Sequence, residues 1–383
     1  CAIANYATPR RFNSVHIISL CYYCHWMKWK LTLIGILYRQ ILKRILFLFD
    51  PEFVHEFVVR FGELLGRFSG GRKFVKRIFY VKPTHNLSQT IAGIEFKNPV
   101  GLAAGFDYEA RLTQILPAVG FGFMTVGTIT NQPYGGNPRP RLTRLPRSGS
   151  LLVNKGFKNP GAVAVAAKLQ NLHFEIPVGI SIGRTNSAHL DQEQSVADIL
   201  SAFSVFENSG VRHAYYELNI SCPNLYGDVT FYTPHNLKYL LSALAKQNIK
   251  KPIFIKMPTS QPDEAVLKML DVIMEHKIAG VIFGNLQKDR NHPALNKSEI
   301  KHIGQGSFSG LPAKQRSNEL IKLAHEHYGK KLVIIGCGGI FTPEDAREKI
   351  RLGAKLVQLI TGMIFQGPQL IEEISFCLER EMV

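Results

Sequence analysis

The sequence predicts an α/β protein, a (β/α)8 TIM barrel preceded by an amphipathic helical extension. Three observations carry this prediction. From about residue 98 onward, short apolar runs alternate with helical stretches, the pattern of parallel strands covered on both sides. Eight such units over about 280 residues match the size of a closed barrel. Glycines and polar residues gather just after the runs, where such a barrel keeps its chemistry. The alternative architecture is a doubly wound open sheet, but no Gly-x-Gly-x-x-Gly follows the first strand.

The chain has 383 residues, 45% hydrophobic and 20% charged, a balance that excludes disorder along its whole length. Its net charge of +17 is unevenly spread. Residues 1–80 hold thirteen Lys/Arg against four acids, a local excess of +9. No nucleic-acid-binding motif accompanies the charge, so it points to an anionic membrane surface and not to nucleic acid. The six cysteines, at 1, 21, 24, 222, 337 and 377, form no disulfide framework, which fits a reducing cytoplasm. Cys21 and Cys24 make a CxxC with no second pair, and no metal site is expected.

Residues 1–26 contain no Met and are expected to be a non-native or disordered extension. No apolar run there leads to a small-residue cleavage site. Residues 27–80 are expected to form two amphipathic helices, and residues 81–383 the barrel. In the first helix Arg39, Gln40, Lys43 and Arg44 recur on one face, while Ile34, Leu37, Ile41, Ile45 and Leu48 occupy another. Three charges interrupt the apolar run, so this helix is expected to lie in a membrane interface and not to span it. Asp50-Pro51-Glu52 reads as a helix start, followed by Phe53, Phe57, Val58, Phe61, Leu64, Leu65 and Phe68 at helical spacing. Peripheral membrane contact is thus expected through residues 28–68.

The strand candidates are residues 100–103, 123–127, 178–182, 214–218, 253–256, 281–284, 332–335 and 356–360. Thr128, Asn219, Lys256 and Asn285 stand at the ends of the second, fourth, fifth and sixth. Gly336-Cys337-Gly338-Gly339 follows the seventh and Thr361-Gly362 the eighth. The last two loops are where barrels commonly hold phosphate, and Gly338-Gly339 lets backbone approach an anion. Lys256 at the barrel mouth calls for an anionic partner. Asn154, Asn219, Asn224 and Asn285 both donate and accept, which suits a planar ligand with C=O and N–H edges. Cys222, between Ser221 and Pro223 in a loop, is placed for reactivity and not for packing.

These segments resemble the dihydroorotate dehydrogenase family. The resemblance lies in Asn98-Pro99-Val100-Gly101-Leu102-Ala103-Ala104-Gly105-Phe106-Asp107, Val126-Gly127-Thr128, Asn219-Ile220-Ser221-Cys222-Pro223-Asn224, Phe308-Ser309-Gly310 and Ile335-Gly336-Cys337-Gly338-Gly339-Ile340. Phe49-Asp50-Pro51-Glu52 and His55-Glu56 resemble the membrane-associated, quinone-dependent class 2 branch, whose N-terminal helices form the mouth of a quinone tunnel. The resemblance implies oxidation of dihydroorotate to orotate in pyrimidine biosynthesis, with FMN as cofactor, membrane quinone as acceptor and a peripheral position on the cytoplasmic face of the membrane. Carried over, it implies Cys222 as catalytic base. It implies Ala104, Gly105, Thr128, Ser181, Asn219, Lys256, Gly284, Gly310, Gly339, Ile360 and Thr361 around FMN. Around substrate it implies Tyr108, Asn154, Lys155, Gly156, Phe157, Asn219, Asn224, Asn285 and Leu286.

The chain departs from the family at several of these positions. Class 2 members usually carry Ser as the base, and Cys is the class 1 choice. A Lys expected after Asp107 is Tyr108, and Lys155 is the candidate to supply that positive charge. Asn154-Lys155-Gly156-Phe157 is one residue shorter than the family's Asn-x-x-Gly-Phe. Ser181 stands for Asn, and Gly284 and Leu286 stand for Thr on either side of Asn285. The changes cluster at the substrate, so a related FMN oxidoreductase acting on another dihydropyrimidine, or using a different acceptor, is the alternative.

Overall fold

The computed structural model describes residues 29–81 and 85–379. The expectations for residues 1–26, including Cys21 and Cys24, lie outside the described residues.

The chain begins with helix α1 (residues 29–46), which contains a π-helical turn at Tyr38–Leu42. Leu31 and Gly35 are buried, and the Tyr38 hydroxyl donates to the Ile364 carbonyl at 2.7 Å. Leu37, Ile41, Ile45 and Leu48 stay exposed. Helix α2 (Pro51–Arg67) starts at the expected signal: the Asp50 carboxylate accepts from the Phe53 N–H at 2.9 Å, and Pro51 opens the first turn. A further helix, α3 (Ser69–Phe79), was not anticipated. Its single buried position, Val75, is too little apolar periodicity to announce a helix. Arg111 ties α2 to the main domain, reaching Glu56 at 3.0 Å, Glu63 at 3.7 Å and Glu109 at 2.6 Å.

Two short strands, β1 (Gln89–Ile91) and β2 (Ile94–Phe96), form a hairpin. The barrel strands are β3 (Val100–Leu102), β4 (Phe123–Ile129), β7 (Val178–Ile182), β8 (Tyr215–Asn219), β9 (Ile253–Met257), β10 (Gly280–Phe283), β12 (Val333–Cys337) and β13 (Leu356–Leu359). They close in the order β10-β12-β13-β3-β4-β7-β8-β9, every pair parallel. The expected α/β barrel is therefore present, with each strand within a residue or two of its expected position. The strands run on through polar residues such as Asn219 and Lys256, because backbone pairing with a neighbour, and not apolarity, decides where a parallel strand ends.

Helices α4 (Leu116–Val119), α5 (Ala162–Leu169), α6 (Gln192–Asn208), α7 (Pro234–Ala245), α8 (Asp263–Met274), α9 (Lys297–Ile300), α10 (Lys314–Tyr328), α11 (Pro343–Arg351), α12 (Thr361–Gln366) and α13 (Leu370–Glu379) lie between and after the strands. Several start at clear signals: Asp191 and Thr342 each close a capping box, and Thr233 caps Pro234. Inside the barrel the hairpin residue Phe96 meets Phe123, Tyr215, Phe254 and Leu356 and shuts the N-terminal end. At the opposite end a small antiparallel sheet, β5 (Leu142–Leu145), β6 (Ser150–Val153) and β11 (Ser307–Phe308), contributes Leu142, Leu151 and Val153 to the cavity wall. Neither the hairpin nor this sheet was anticipated, since runs of two to four residues give no usable alternation.

Candidate active site

The cavity opens at the C-terminal ends of the strands, where a barrel exposes its functional loops. The cavity and the open solvent before its mouth together span about 1240 Å³. One side is built from backbone. Gly105 has φ +112°, and a Cβ there would project into space bounded only by Ile360 at 3.8 Å. The main chain therefore offers a planar ligand a flat approach that a side chain would obstruct. Gly310, Gly338, Gly339 and Thr361 also line the cavity, and the Ser309 and Thr361 hydroxyls are 2.8 Å apart. Lys256 also faces the cavity. It is 4% exposed and makes no ion pair among the described residues. Its charge acts on the buried Glu217 carboxyl, yet no carboxylate stands within ion-pair distance among the described residues, so an anionic ligand in the cavity would complete its pairing. These features fit a phosphate-bearing, planar cofactor such as FMN.

Asn219, the last residue of β8, organises the reactive side. Its amide donates to the Thr128 hydroxyl at 2.8 Å, which in turn lies 2.9 Å from the Ser181 hydroxyl. Its carbonyl accepts from the Ser221 N–H at 3.2 Å and the Ser221 hydroxyl at 3.1 Å. Asn285 donates to the same hydroxyl at 2.5 Å. The residue before Cys222 is thus held from two strands, and the half-buried Cys222 faces the cavity. Burial pushes its thiol up to about 11, against the Asn224 N–H and the charges of Arg184, Lys256 and Lys288. Asn224 is fixed by donation to the Val153 carbonyl at 2.8 Å and acceptance from Ser307 at 2.9 Å.

At the mouth the Tyr108 ring is buried and stacks on His55 of α2, with centroids 5.4 Å apart and planes 15° from parallel. The Lys155 ammonium donates to the Tyr108 hydroxyl at 3.2 Å and stands 4.5 Å over the ring. Burial lowers Lys155 to about 8, with Glu52 opposing. Burial and the Lys155 charge lower His55 to about 4, so its ring is neutral near pH 7.

Most of the residues singled out from sequence line this one cavity: Ala104, Gly105, Tyr108, Thr128, Lys155, Gly156, Phe157, Asn219, Cys222, Asn224, Lys256, Gly284, Asn285, Leu286, Gly310, Gly339, Ile360 and Thr361. Asn154 and Ser181 are not on its wall. Asn154 accepts from Asn137 at 2.8 Å, and Ser181 stands behind Thr128. Sequence reasoning missed Asn137 and Asn186, which bind one another and tie Asn154, Gly156, Asn224 and Tyr226 together. Asn137 precedes a proline and reads as a turn former, so no local signal distinguishes it. Leu142, Leu151 and Val153 were missed along with their sheet, and Lys158 by its position in a loop.

A family model described as dihydroorotate dehydrogenase matches residues 86–382. The chain belongs to the dihydroorotate dehydrogenase family. It is 37% identical over 345 residues to a dihydroorotate dehydrogenase (quinone) of Christiangramia forsetii, covering 88% of this chain and 98% of that one. Identity to the dihydroorotate dehydrogenase (quinone) of Trichodesmium erythraeum is 36% over 358 residues, covering 88% and 93%. Among solved structures, ligand-free dihydroorotate dehydrogenase from Eimeria tenella superposes with TM-score 0.74 at 27% identity, covering 86% of this chain and 94% of that one. The ferulenol complex of the same enzyme gives TM-score 0.73 at 26% identity, covering 86% and 90%. Within this dihydroorotate dehydrogenase family chain, no helix of the described residues is long and apolar enough to cross a membrane.

Proposed function

We propose that this chain is an oxidoreductase of pyrimidine biosynthesis that oxidises dihydroorotate to orotate, uses FMN and passes the electrons to a membrane quinone. The observation that carries the reading is the single cavity shared by Cys222, Lys256, the Gly105 backbone and the amides of Asn219 and Asn285. It supplies a base, a cation, a flat backbone surface and donor–acceptor edges within one space.

When bound, FMN would supply the hydride acceptor for the substrate and the electron donor for quinone. Ala104, Gly105, Thr128, Asn219, Lys256, Gly284, Gly310, Gly339, Ile360 and Thr361 would hold it, with Ser181 fixing Thr128 from behind. The Cys222 sulfur removes the C5 proton. Asn219, Asn224 and Asn285 read the ring edges, with Gly156, Phe157 and Leu286 closing around them. Lys155, steadied on Tyr108, meets the carboxylate, and Asn154 acts only through Asn137.

The bared apolar residues of α1 and α2, among them Ile41, Ile45, Phe53, Phe57 and Phe61, adjoin Arg39, Arg44 and Arg60 and fit peripheral contact with an anionic membrane. Residues 28–68 would then bring quinone toward His55 at the cavity wall. Anaerobic titration of the FMN-loaded protein with dihydroorotate tests substrate, cofactor and base together. Bleaching of the flavin absorbance is expected. A flavin that stays oxidised would refute the substrate assignment and favour another dihydropyrimidine.

A further inference from the structure

The barrel interior beneath the cavity is not apolar throughout. Phe123, Tyr215, Phe254 and Leu356 fill one level. Two residues further along the same strands stand Thr125, Glu217, Lys256 and Gln358, which strand alternation keeps on the inner face. Glu217 on β8 and Gln358 on β13 belong to strands four places apart in the closed ring of eight. Their side chains still meet: Gln358 Nε2 donates to Glu217 Oε1 at 2.5 Å. Thr125 Oγ1 donates to the same oxygen at 2.5 Å and lies 2.9 Å from the Tyr215 hydroxyl. A polar layer therefore crosses the barrel axis directly under the cavity floor.

Thr125, Glu217 and Gln358 are fully buried. Glu217 Oε2 and Gln358 Oε1 have no hydrogen-bond partner among the described residues. A barrel layer is ordinarily closed with Val, Ile or Leu, and a buried carboxyl with a bare oxygen costs stability. Its neighbour in the layer is Lys256, which also lines the cavity, acts on the Glu217 carboxyl through its charge and makes no ion pair among the described residues.

We propose that Glu217 is the proton-exchanging counter-charge of Lys256, ionised in the oxidised enzyme and protonated when negative charge enters the cavity on reduction of the cofactor. This rests on the FMN-dependent reading above. The reaction balances without a further reactant. Oxidation of dihydroorotate gives up a hydride equivalent and one proton. The hydride passes to the cofactor. The proton leaves C5 on Cys222 and ends on Glu217 Oε2 instead of in solvent. Burial pushes the Glu217 carboxyl up, while the Lys256 cation and the bonds from Thr125 and Gln358 pull it down. Negative charge beside Lys256 weakens that pull. The charged and titratable groups facing the carboxyl are Lys256 from β9 and Tyr215 from its own strand.

The test compares FMN-loaded wild type with Glu217→Gln, anaerobically, in weakly buffered solution near pH 8 containing an indicator dye. Flavin absorbance counts the cofactor reduced by dihydroorotate, and the dye counts protons. Wild type should release no net proton per flavin reduced, and Glu217→Gln should release one. In a second measurement, the midpoint potential of bound flavin should fall twice as steeply with pH in wild type as in the variant. Release of one proton by wild type overturns the proposal, even if the variant does not fold. Equal release, or parallel potential slopes, in the two proteins also overturns it. If dihydroorotate fails to bleach the flavin, the substrate reading falls instead. Reductive titration with dithionite then still decides the role of Glu217 through the two slopes.

Discussion

As the proposed base, Cys222 is held mostly protonated by its surroundings. With the thiol pushed up to about 11, only a small fraction is thiolate near neutrality, and each unit of pH adds about tenfold to that fraction. The limiting rate of flavin reduction by substrate should therefore climb steadily between pH 7 and 10 in anaerobic stopped-flow measurements. A rate that levels off below pH 8 would speak against thiolate as the base. Cys222→Ala should retain FMN and lose substrate-driven reduction, and unchanged bleaching would remove the assignment. Lys155 runs the other way. Lowered to about 8, it loses its charge as pH rises through that value, so KM for dihydroorotate should increase above pH 8 while kcat does not fall. Lys155→Met should raise KM by roughly 10- to 100-fold, the usual effect of losing a charge-assisted hydrogen bond, with a smaller change in kcat. At this scale the placement of Cys222 and Lys256 on the cavity was legible, because a Cys between Ser and Pro at a strand end and a Lys at a strand end both fall where a barrel opens. The role of Asn154 was not. Its amide faces Asn137, and a partner seventeen positions earlier leaves no trace in the local pattern.

The elements that matter most beyond the barrel are α1 and α2. Their exposed apolar residues, Ile41 at 54% and Phe53 at 62% among them, lie beside basic ones, the arrangement of a helix resting on an anionic surface. Vesicles containing anionic lipid should capture the protein, and capture should weaken as salt screens the basic side chains. Removing the residues up to 46 should reduce both capture and quinone-dependent turnover, while the rate of flavin reduction by dihydroorotate stays close to that of the intact chain. Equal loss of both half-reactions would make α1 a structural prop only. The start of α2 could be read from Asp50-Pro51, a signal confined to adjacent residues. That α2 brings His55 onto Tyr108 at the cavity wall could not, because the contact joins positions 53 apart that share no motif.

For the molecule as a whole, burial of charge sets limits on stability. Glu372 of α13 is 6% exposed, and burial raises its carboxyl to about 8, with the Val81 N–H pulling it down. Its folded value lies above the unfolded one, so the neutral form stabilises the fold. That stability is complete below about pH 4.5 and is lost as pH rises toward 8. Glu372→Gln should therefore stabilise the protein by roughly 1–4 kcal/mol at pH 8 and by little at pH 4.5. Thermal unfolding at both pH values checks this, at roughly 2–4 °C per kcal/mol for a large domain. An equal change at the two values would rule out ionisation as the cause. The sequence by itself determined the strand–helix alternation, the start of α2 and most of the loop residues that line the cavity. Those depend on periodicity, capping and glycine placement, which act over a few residues. The tertiary structure alone decided that β13 pairs with β3 to close the ring, that Asn137 and Asn186 tie the loops of Asn154, Gly156 and Asn224 together, and that Glu217 meets Gln358 across the axis. Each depends on residues far apart in the chain becoming neighbours, which only closure of the barrel brings about.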